Sequence, residues 1–136
     1  MVNTFIKNND RVIYDDADLT DEYFKRAYNY LTPELSISRL SGLNSRFRFY
    51  KYSVGQRFKQ HQDGSYIRNI NEWSEFRFMI YSNDDFEGGE TKFLRTSIIP
   101  QKGSLLKFKH ELVHEGCPIT KGVKYVLRTD VMYCRK

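Results

Sequence analysis

Two side chains that can bind a metal, His61 and Asp63, are separated by a single residue. In a β-strand, residues i and i+2 lie on the same face, so this imidazole and this carboxylate can converge on one ion. A third ligand must then come from another part of the chain. Two histidines and one carboxylate leave neighbouring coordination positions open and suit non-haem Fe(II), whereas a closed structural zinc site takes four ligands. The spacing is therefore compatible with an oxygen-activating iron site, although it is a weak signal by itself.

Further motifs follow in a fixed order. Upstream, Tyr52–Phe58 leads into His61, the first metal-binding residue. Downstream come a glycine-rich segment, a segment that begins with a histidine and a segment that begins with a lysine, in the order Gly88–Thr91, His114–Gly116 and Lys124–Tyr133. In this order, over about residues 46–133, the chain resembles the prolyl 4-hydroxylase-like Fe(II)- and 2-oxoglutarate-dependent dioxygenases. That resemblance implies a mainly β fold, a double-stranded β-helix or jelly roll, with an N-terminal helix packed on its outside.

The resemblance also implies roles for six residues. The iron ligands, which are the catalytic residues, are expected to be His61, Asp63 and His114. Lys124 is expected to bind the distal carboxylate of 2-oxoglutarate, with Tyr52 and Thr91 contributing to the same pocket. A buried ammonium without a partner costs several kcal/mol, and a dianionic cosubstrate would supply that partner. Arg128 lies four residues after Lys124 and shares its inward face on a strand, but the sequence assigns it no role.

The family reaction consumes 2-oxoglutarate and O2 at Fe(II), releases succinate and CO2, and hydroxylates a carbon of the substrate, with ascorbate expected as reductant. A prolyl side chain of a protein or peptide is the leading substrate hypothesis. A free amino acid or another small molecule is the alternative within this class, because no separate peptide-binding domain is evident. A metal-free binding module is a third possibility, although such a module would not need the metal-binding residues.

A rival motif is His110-Glu111-Leu112-Val113-His114, the H-E-x-x-H pattern of zinc metallopeptidases. That motif functions only on a helix. The preceding residues are partly alternating and strand-like, and Pro118 follows where a helix should continue. The peptidase hypothesis is therefore weak.

Composition and length favour one enzyme domain over residues 1–136, with its core at 46–133. The chain is 40% hydrophobic and 15% aromatic, which is enough to fill one core. No apolar signal segment or membrane-length run occurs, so a cytoplasmic protein with Cys117 and Cys134 as free thiols is expected. The sequence does not define an oligomeric state.

The net charge of +5 does not indicate a nucleic-acid partner, because 17 acidic residues are interspersed and no long basic run occurs. A basic cluster flanks the first metal-binding residues and is a candidate guide for an anionic substrate. It comprises Arg46, Arg48, Lys51, Arg57 and Lys59.

The periodicity predicts one amphipathic helix over Asp18–Leu31, capped by Asp18 or Thr20. Its apolar face is expected to hold Tyr23, Phe24, Ala27, Tyr28 and Leu31. Strands are predicted at 47–53, 75–82, 92–94, 97–99, 103–109 and 124–133. Residues 65–74 lack clear periodicity and are predicted to be a loop that folds over the iron, with Trp73 as either a substrate platform or an anchor for the loop.

Overall fold

A computed structural model describes residues 10–136. Within that range the chain forms one α-helix, α1 (Ala17–Ala27), a 3-10 turn at Tyr28–Tyr30, and thirteen β-strands. The strands are β1 (Asp10–Asp15), β2 (Ser38–Leu43), β3 (Arg46–Tyr52), β4 (Phe58–His61), β5 (Ile67–Asn69), β6 (Glu72–Tyr81), β7 (Glu87–Gly88), β8 (Thr91–Phe93), β9 (Ser97–Ile98), β10 (Leu105–Lys109), β11 (His114–Gly116), β12 (Ile119–Lys121) and β13 (Lys124–Arg135).

The larger sheet is built around β13, a strand of 12 residues. On one side β13 pairs with β6, and on the other it pairs first with β3 and then with β2. The complete order is β1-β3-β13-β6-β10, with β5 added beside β6. All of these pairings are antiparallel, so alternate residues of each strand point to opposite faces of the sheet.

A smaller sheet has the order β4-β11-β8-β9, and β7 pairs with β12 in a separate ladder. The inward face of the larger sheet forms one apolar cluster with residues from these smaller sheets. Its buried members are Tyr50, Tyr52, Met79, Tyr81, Ile119 and Val126. This arrangement is a double-stranded β-helix, and it confirms the predicted fold class.

The helix packs on the outer face of the larger sheet, where Ala27 and Leu31 join a second cluster with Phe78 and Val131. The predicted N-cap was wrong. The cap is Asp16, which has an extended backbone and accepts a hydrogen bond from the backbone N–H of Leu19 at 2.9 Å.

The helix is also shorter than predicted, because a 3-10 turn begins at Tyr28. That turn leaves the Tyr28 side chain 52% exposed, outside the apolar face assigned to it. Thr20, the other predicted cap, is buried and donates its hydroxyl to the backbone carbonyls of Asp16 and Ala17.

The predicted strands all have counterparts with shifted ends, but seven strands were not predicted. These are β1, β2, β4, β5, β7, β11 and β12. Most are short or polar: β7 has two residues and β5 has three, all exposed. Their positions are set by partner strands rather than by their own residue pattern.

The predicted loop at 65–74 is instead a hairpin, since β5 pairs with the start of β6. Trp73 lies within β6, opposite Tyr133 of β13. Its indole N–H donates to the carboxylate of Glu75 at 2.6 Å, and the guanidinium carbon of Arg135 lies 5.2 Å from its ring. These contacts favour Trp73 as an anchor for this segment, and the prediction of an irregular loop at 65–74 was wrong.

Among residues 10–136, no helix has the length and apolar character needed to cross a membrane. Cys117 and Cys134 do not form a disulfide. Residues 1–9, where a signal sequence would begin, lie outside the described residues. A cytoplasmic location stays a prediction.

Candidate active site

Strand pairing brings the predicted metal-binding residues together. His61 is the last residue of β4 and His114 the first residue of β11, and the two are direct partners in the antiparallel ladder. Asp63 follows two residues after His61. One possible ligand atom from each of these three side chains lies within 4.8 Å of the others. All three side chains are largely enclosed, with exposed fractions of 10%, 5% and 7% for His61, Asp63 and His114.

Each histidine is oriented by its own backbone. The Nδ1 of His61 lies 2.6 Å from the carbonyl oxygen of Lys59, and the Nδ1 of His114 lies 2.9 Å from that of Leu112. A neutral imidazole in this geometry donates through Nδ1 and leaves the Nε2 lone pair free for a metal. The Nε2 of His61 is buried and has no hydrogen-bond partner, which is the condition expected of a metal ligand.

Aromatic rings hold both imidazoles in place. Phe58 stacks on His61 with ring centroids 3.6 Å apart, and Phe108 lies edge-on to His114 at 4.6 Å. Burial lowers the pKa of His114, with a smaller contribution in the same direction from the charge of Arg128. The neutral, metal-binding form of His114 is therefore favoured.

Asp63 is held by a buried arginine that the sequence did not identify. Arg77 of β6 contacts both carboxylate oxygens of Asp63, with its Nε at 3.2 Å from Oδ2 and its NH2 at 3.1 Å from Oδ1. Its NH1 donates to Asp130 at 2.7 Å. Burial raises the pKa of Asp63, but the close approach of the His61 imidazole, with Nε2 3.5 Å from Oδ1, and the charges of Arg77 and Arg128 outweigh it and hold that pKa well below the usual range. Asp63 is therefore an oriented, ionised carboxylate.

We expect Arg77→Met to weaken Fe(II) binding by about 10- to 100-fold, the usual effect of removing a group that orients a metal ligand. Stability should also fall by about 3–5 kcal/mol, since Asp130 loses its cation while buried. Equilibrium Fe(II) titration and thermal melts measure the two effects. The matched control is Asp130→Asn, which leaves the contact between Arg77 and Asp63 intact. Equal losses of Fe(II) affinity in both variants would contradict this role for Arg77.

Lys124, the first residue of β13, lies opposite Tyr52 of β3. Its side chain is buried, and its ammonium donates to the carbonyl oxygen of Gly89 at 2.7 Å. Among the described residues no carboxylate lies within 4.0 Å of this ammonium. Burial lowers the pKa of Lys124 to about 8, while Cys117 and Glu90 act in the opposite direction. Lys124 is thus an enclosed cation without an anionic partner.

Gly89 is required for this geometry. Its backbone has φ +71°, which favours glycine, and a Cβ there would lie 2.6 Å from Ile119 and 3.1 Å from the Lys124 side chain. The glycine-rich segment therefore lets the backbone approach Lys124 closely enough to accept its hydrogen bond.

Three side chains with hydroxyl groups, Thr91, Tyr81 and Tyr52, lie around Lys124. Thr91 of β8 is buried, and its hydroxyl is hydrogen-bonded to that of Tyr81. The Lys124 ammonium lies 5.5 Å from the Tyr81 ring and 5.2 Å from the Tyr52 ring. Burial raises the pKa of Tyr81 to about 12 and also raises that of Tyr52, so both phenols stay protonated. Tyr81 was not identified from the sequence, because one tyrosine among ten in an apolar strand carries no distinguishing signal.

One pocket connects these groups. Both histidines line it, as do Tyr52, Thr91 and Lys124. Arg128 also lines it, on the face of β13 that carries Lys124. The six residues expected to act in catalysis and binding are therefore assembled in one place, with Asp63 beside the two histidines.

The structure does not provide the helix that the zinc peptidase motif requires. His110 lies in a turn closed by a hydrogen bond from Leu112 N–H to the Lys109 carbonyl, and His114 begins a strand. The Nε2 of His110 is paired with the hydroxyl of Ser74 at 2.8 Å. His110 is thus a buried structural residue.

The basic cluster near these residues is partly neutralised. Arg46 pairs with Asp15 at 3.1 Å, and Arg57 pairs with Glu115 at 2.9 Å. These contacts weaken the hypothesis that the cluster guides an anionic substrate.

A double-stranded β-helix that encloses two histidines and one carboxylate beside a buried cation has the arrangement expected of a 2-oxoglutarate- and Fe(II)-dependent oxygenase. A family model described as the 2OG-Fe(II) oxygenase superfamily matches residues 47–129. The chain belongs to this superfamily. No curated protein matches the chain.

Solved structures share the fold at low sequence identity. The viral collagen prolyl hydroxylase of Paramecium bursaria Chlorella virus-1, in its 2OG complex, has a TM-score of 0.67 at 20% identity, and the match covers 94% of this chain and 80% of that one. A prolyl-4-hydroxylase of Pseudomonas putida has a TM-score of 0.66 at 18% identity, covering 97% and 74%. An oxidoreductase of the 2OG-Fe(II) oxygenase family from Burkholderia pseudomallei has a TM-score of 0.55 at 18% identity, covering 89% and 52%.

Proposed function

We propose that this protein hydroxylates a carbon of its substrate with consumption of 2-oxoglutarate and O2 and release of succinate and CO2. His61, Asp63 and His114 would hold Fe(II), and Lys124 would bind the distal carboxylate of 2-oxoglutarate. One observation carries the proposal: His61 and His114, which are grouped with Asp63, line the same pocket as a buried ammonium that has no anionic partner among the described residues.

The residues present suit these ligands. Two imidazoles and one ionised carboxylate match the donor set that non-haem Fe(II) takes in oxygenases. When bound, iron and 2-oxoglutarate supply the oxidising chemistry that the side chains of this protein lack. Arg77 keeps Asp63 ionised and oriented, and the backbone carbonyls of Lys59 and Leu112 fix the imidazoles.

The pocket beyond the metal ligands suits a dianion. Lys124 would exchange its hydrogen bond with the Gly89 carbonyl for a carboxylate, which is a stronger partner. The hydroxyls of Thr91, Tyr81 and Tyr52 offer further donors around it. Met79 and Val126 line the pocket and limit access of water, which strengthens these interactions.

The leading substrate remains a prolyl side chain of a protein or peptide, supported by the prolyl hydroxylase names of two structures that share the fold. A free amino acid or another small molecule remains the alternative. We also propose ascorbate as the reductant that keeps the iron in its ferrous state.

The test is an anaerobic titration of the Fe(II)-loaded protein with 2-oxoglutarate, monitored by the weak visible charge-transfer band of the chelate. A saturable band, followed by succinate release on admission of O2, supports the proposal. Adding prolyl peptides or free amino acids then identifies the class that accelerates succinate release. Bound metal without any band would contradict the proposal.

The affinity for 2-oxoglutarate should depend on pH in a defined direction. Burial lowers the pKa of Lys124 from 10.5 to about 8, so above pH 8 the ligand-free protein loses the charge that would bind the cosubstrate. The dissociation constant should therefore rise by up to about tenfold per pH unit above pH 8. In Lys124→Met this pH dependence should be absent. If the dissociation constant of that variant rises with pH as it does in the wild-type protein, another group is responsible for the pH dependence.

The same shift predicts an opposite trend in stability. The folded state disfavours the charged form of Lys124, so the ligand-free protein should gain stability as pH rises from about 8 to 10.5, the window between its folded and ordinary pKa values. Thermal melts of the wild-type protein and Lys124→Met across this window measure the difference.

A further inference from the structure

Arg128 is a second cation in the pocket, and neither the metal site nor the Lys124 site uses it. It lies in β13 opposite Met79 of β6. Its guanidinium carbon is 4.8 Å from the centre of the Tyr50 ring and 5.7 Å from that of Phe58. Its Nε is buried and has no hydrogen-bond partner within residues 10–136. No carboxylate of the described chain lies within ion-pair distance of it.

The aromatic contacts place Arg128 towards the metal ligands. Phe58, which contacts the guanidinium, is the same ring that stacks on His61 at 3.6 Å. The charges of Arg128 and Asp63 also influence each other. Arg128 and Lys124 therefore serve different parts of one pocket.

The enclosed charges do not balance. Three cations, Arg77, Lys124 and Arg128, face two carboxylates, Asp63 and Asp130, and Arg77 contacts both of those carboxylates. Under the proposed function, a divalent metal and a dianionic cosubstrate add equal and opposite charge. An excess of one positive charge then persists, which one further carboxylate would neutralise.

We propose that Arg128 binds a carboxylate next to the metal ligands, separate from the carboxylate at Lys124. A guanidinium presents a planar fork of donors that matches a carboxylate, and aromatic rings can hold it in position. This inference rests on the proposed function. The charge balance favours a carboxylate of the substrate, which would then be a free amino acid or a chain terminus. The metal-binding end of 2-oxoglutarate is already counted in that balance, and it is the other source that the experiment distinguishes.

The experiment compares the wild-type protein with Arg128→Met, Arg128→Lys and the control Lys51→Met, which removes an exposed positive charge from the adjacent strand β3. One arm titrates the Fe(II)-loaded proteins with 2-oxoglutarate under anaerobic conditions. The other loads the proteins with Mn(II) and 2-oxoglutarate and follows the thermal shift caused by L-amino acids, each compared with its carboxamide.

Arg128→Met should weaken binding at least about tenfold in one arm, the scale of losing a charge-assisted hydrogen bond. Arg128→Lys should lose less, and Lys51→Met nothing. A loss confined to the amino-acid arm assigns the carboxylate to the substrate, and a loss in the 2-oxoglutarate arm assigns it to the cosubstrate. If Arg128→Met binds 2-oxoglutarate and amino acids as tightly as the wild-type protein does, the inference is overturned, but the proposed function is not affected. Failure of the wild-type protein to bind 2-oxoglutarate at all overturns both.

Thermal melts without ligands separate this role from a structural one. Arg128 has no anionic partner and contributes to an excess of positive charge, so its removal should leave the melting temperature unchanged or raise it. A large decrease in melting temperature, with ligand binding unchanged, would make Arg128 a support for Tyr50 and Phe58 instead.

Discussion

Replacing His61 or His114 with alanine is expected to abolish Fe(II) binding and, with it, succinate release. Each substitution leaves only two protein ligands, and each removes an imidazole that neighbouring rings and a backbone carbonyl hold in place. Equilibrium Fe(II) titration should show no saturable binding at Fe(II) concentrations that saturate the wild-type protein. Retained turnover in either variant would refute the assignment of that histidine.

His110→Ala is the matched control, because His110 is buried four residues from His114, its Nε2 pairs with the Ser74 hydroxyl, and its side chain is not part of the metal-binding group. Its removal should leave Fe(II) affinity nearly unchanged and reduce stability by about 1–3 kcal/mol through the loss of a buried hydrogen bond. Loss of metal from this variant, together with zinc in the purified wild-type protein, would instead revive the peptidase hypothesis.

Lys124→Ala is expected to retain Fe(II) but to weaken 2-oxoglutarate binding by at least about 100-fold, since a buried carboxylate would lose its only cationic partner at that end of the pocket. The charge-transfer titration measures the dissociation constant directly. Succinate release at saturating 2-oxoglutarate should recover part of the wild-type rate, because the metal ligands are unaffected.

Lys107→Ala provides the control for Lys124. Lys107 is also partly buried, and burial lowers its pKa, but its ammonium donates to Thr32 and lies over Phe76 on the outer face of the larger sheet. This variant should bind 2-oxoglutarate like the wild-type protein. Similar losses in both variants would indicate a general effect of reduced positive charge, and the specific role of Lys124 would have to be abandoned.

The sequence predicted the fold class and the long strands, because β6, β10 and β13 are rich in apolar residues that fill the two clusters. It did not predict the short strands β4 and β11, although these carry His61 and His114. Strands of four and three residues are defined by pairing with each other and with β8, and such pairing leaves no pattern in the residues themselves.

The candidate site was accessible from the sequence where residue type and order sufficed. The side chains that orient these residues could not be predicted in the same way. Arg77, for example, contacts Asp63 although it lies 14 positions further along the chain. A single arginine in the apolar run Phe76–Tyr81 was the available signal, because a charge in a buried strand needs a partner. The Asp16 cap was missed for a local reason: three acidic residues precede Leu19 closely, and their spacing alone does not select one.

The direct pairing of His61 with His114 has a mechanical consequence. Within residues 10–136, β4 is an edge strand that pairs in the smaller sheet with β11 alone, so few backbone hydrogen bonds hold it. A metal bound by His61 of β4 and His114 of β11 would link the two strands. The free energy of metal binding would then add to the local stability of this sheet edge. Metal binding and the stabilisation of strand β4 would then occur together.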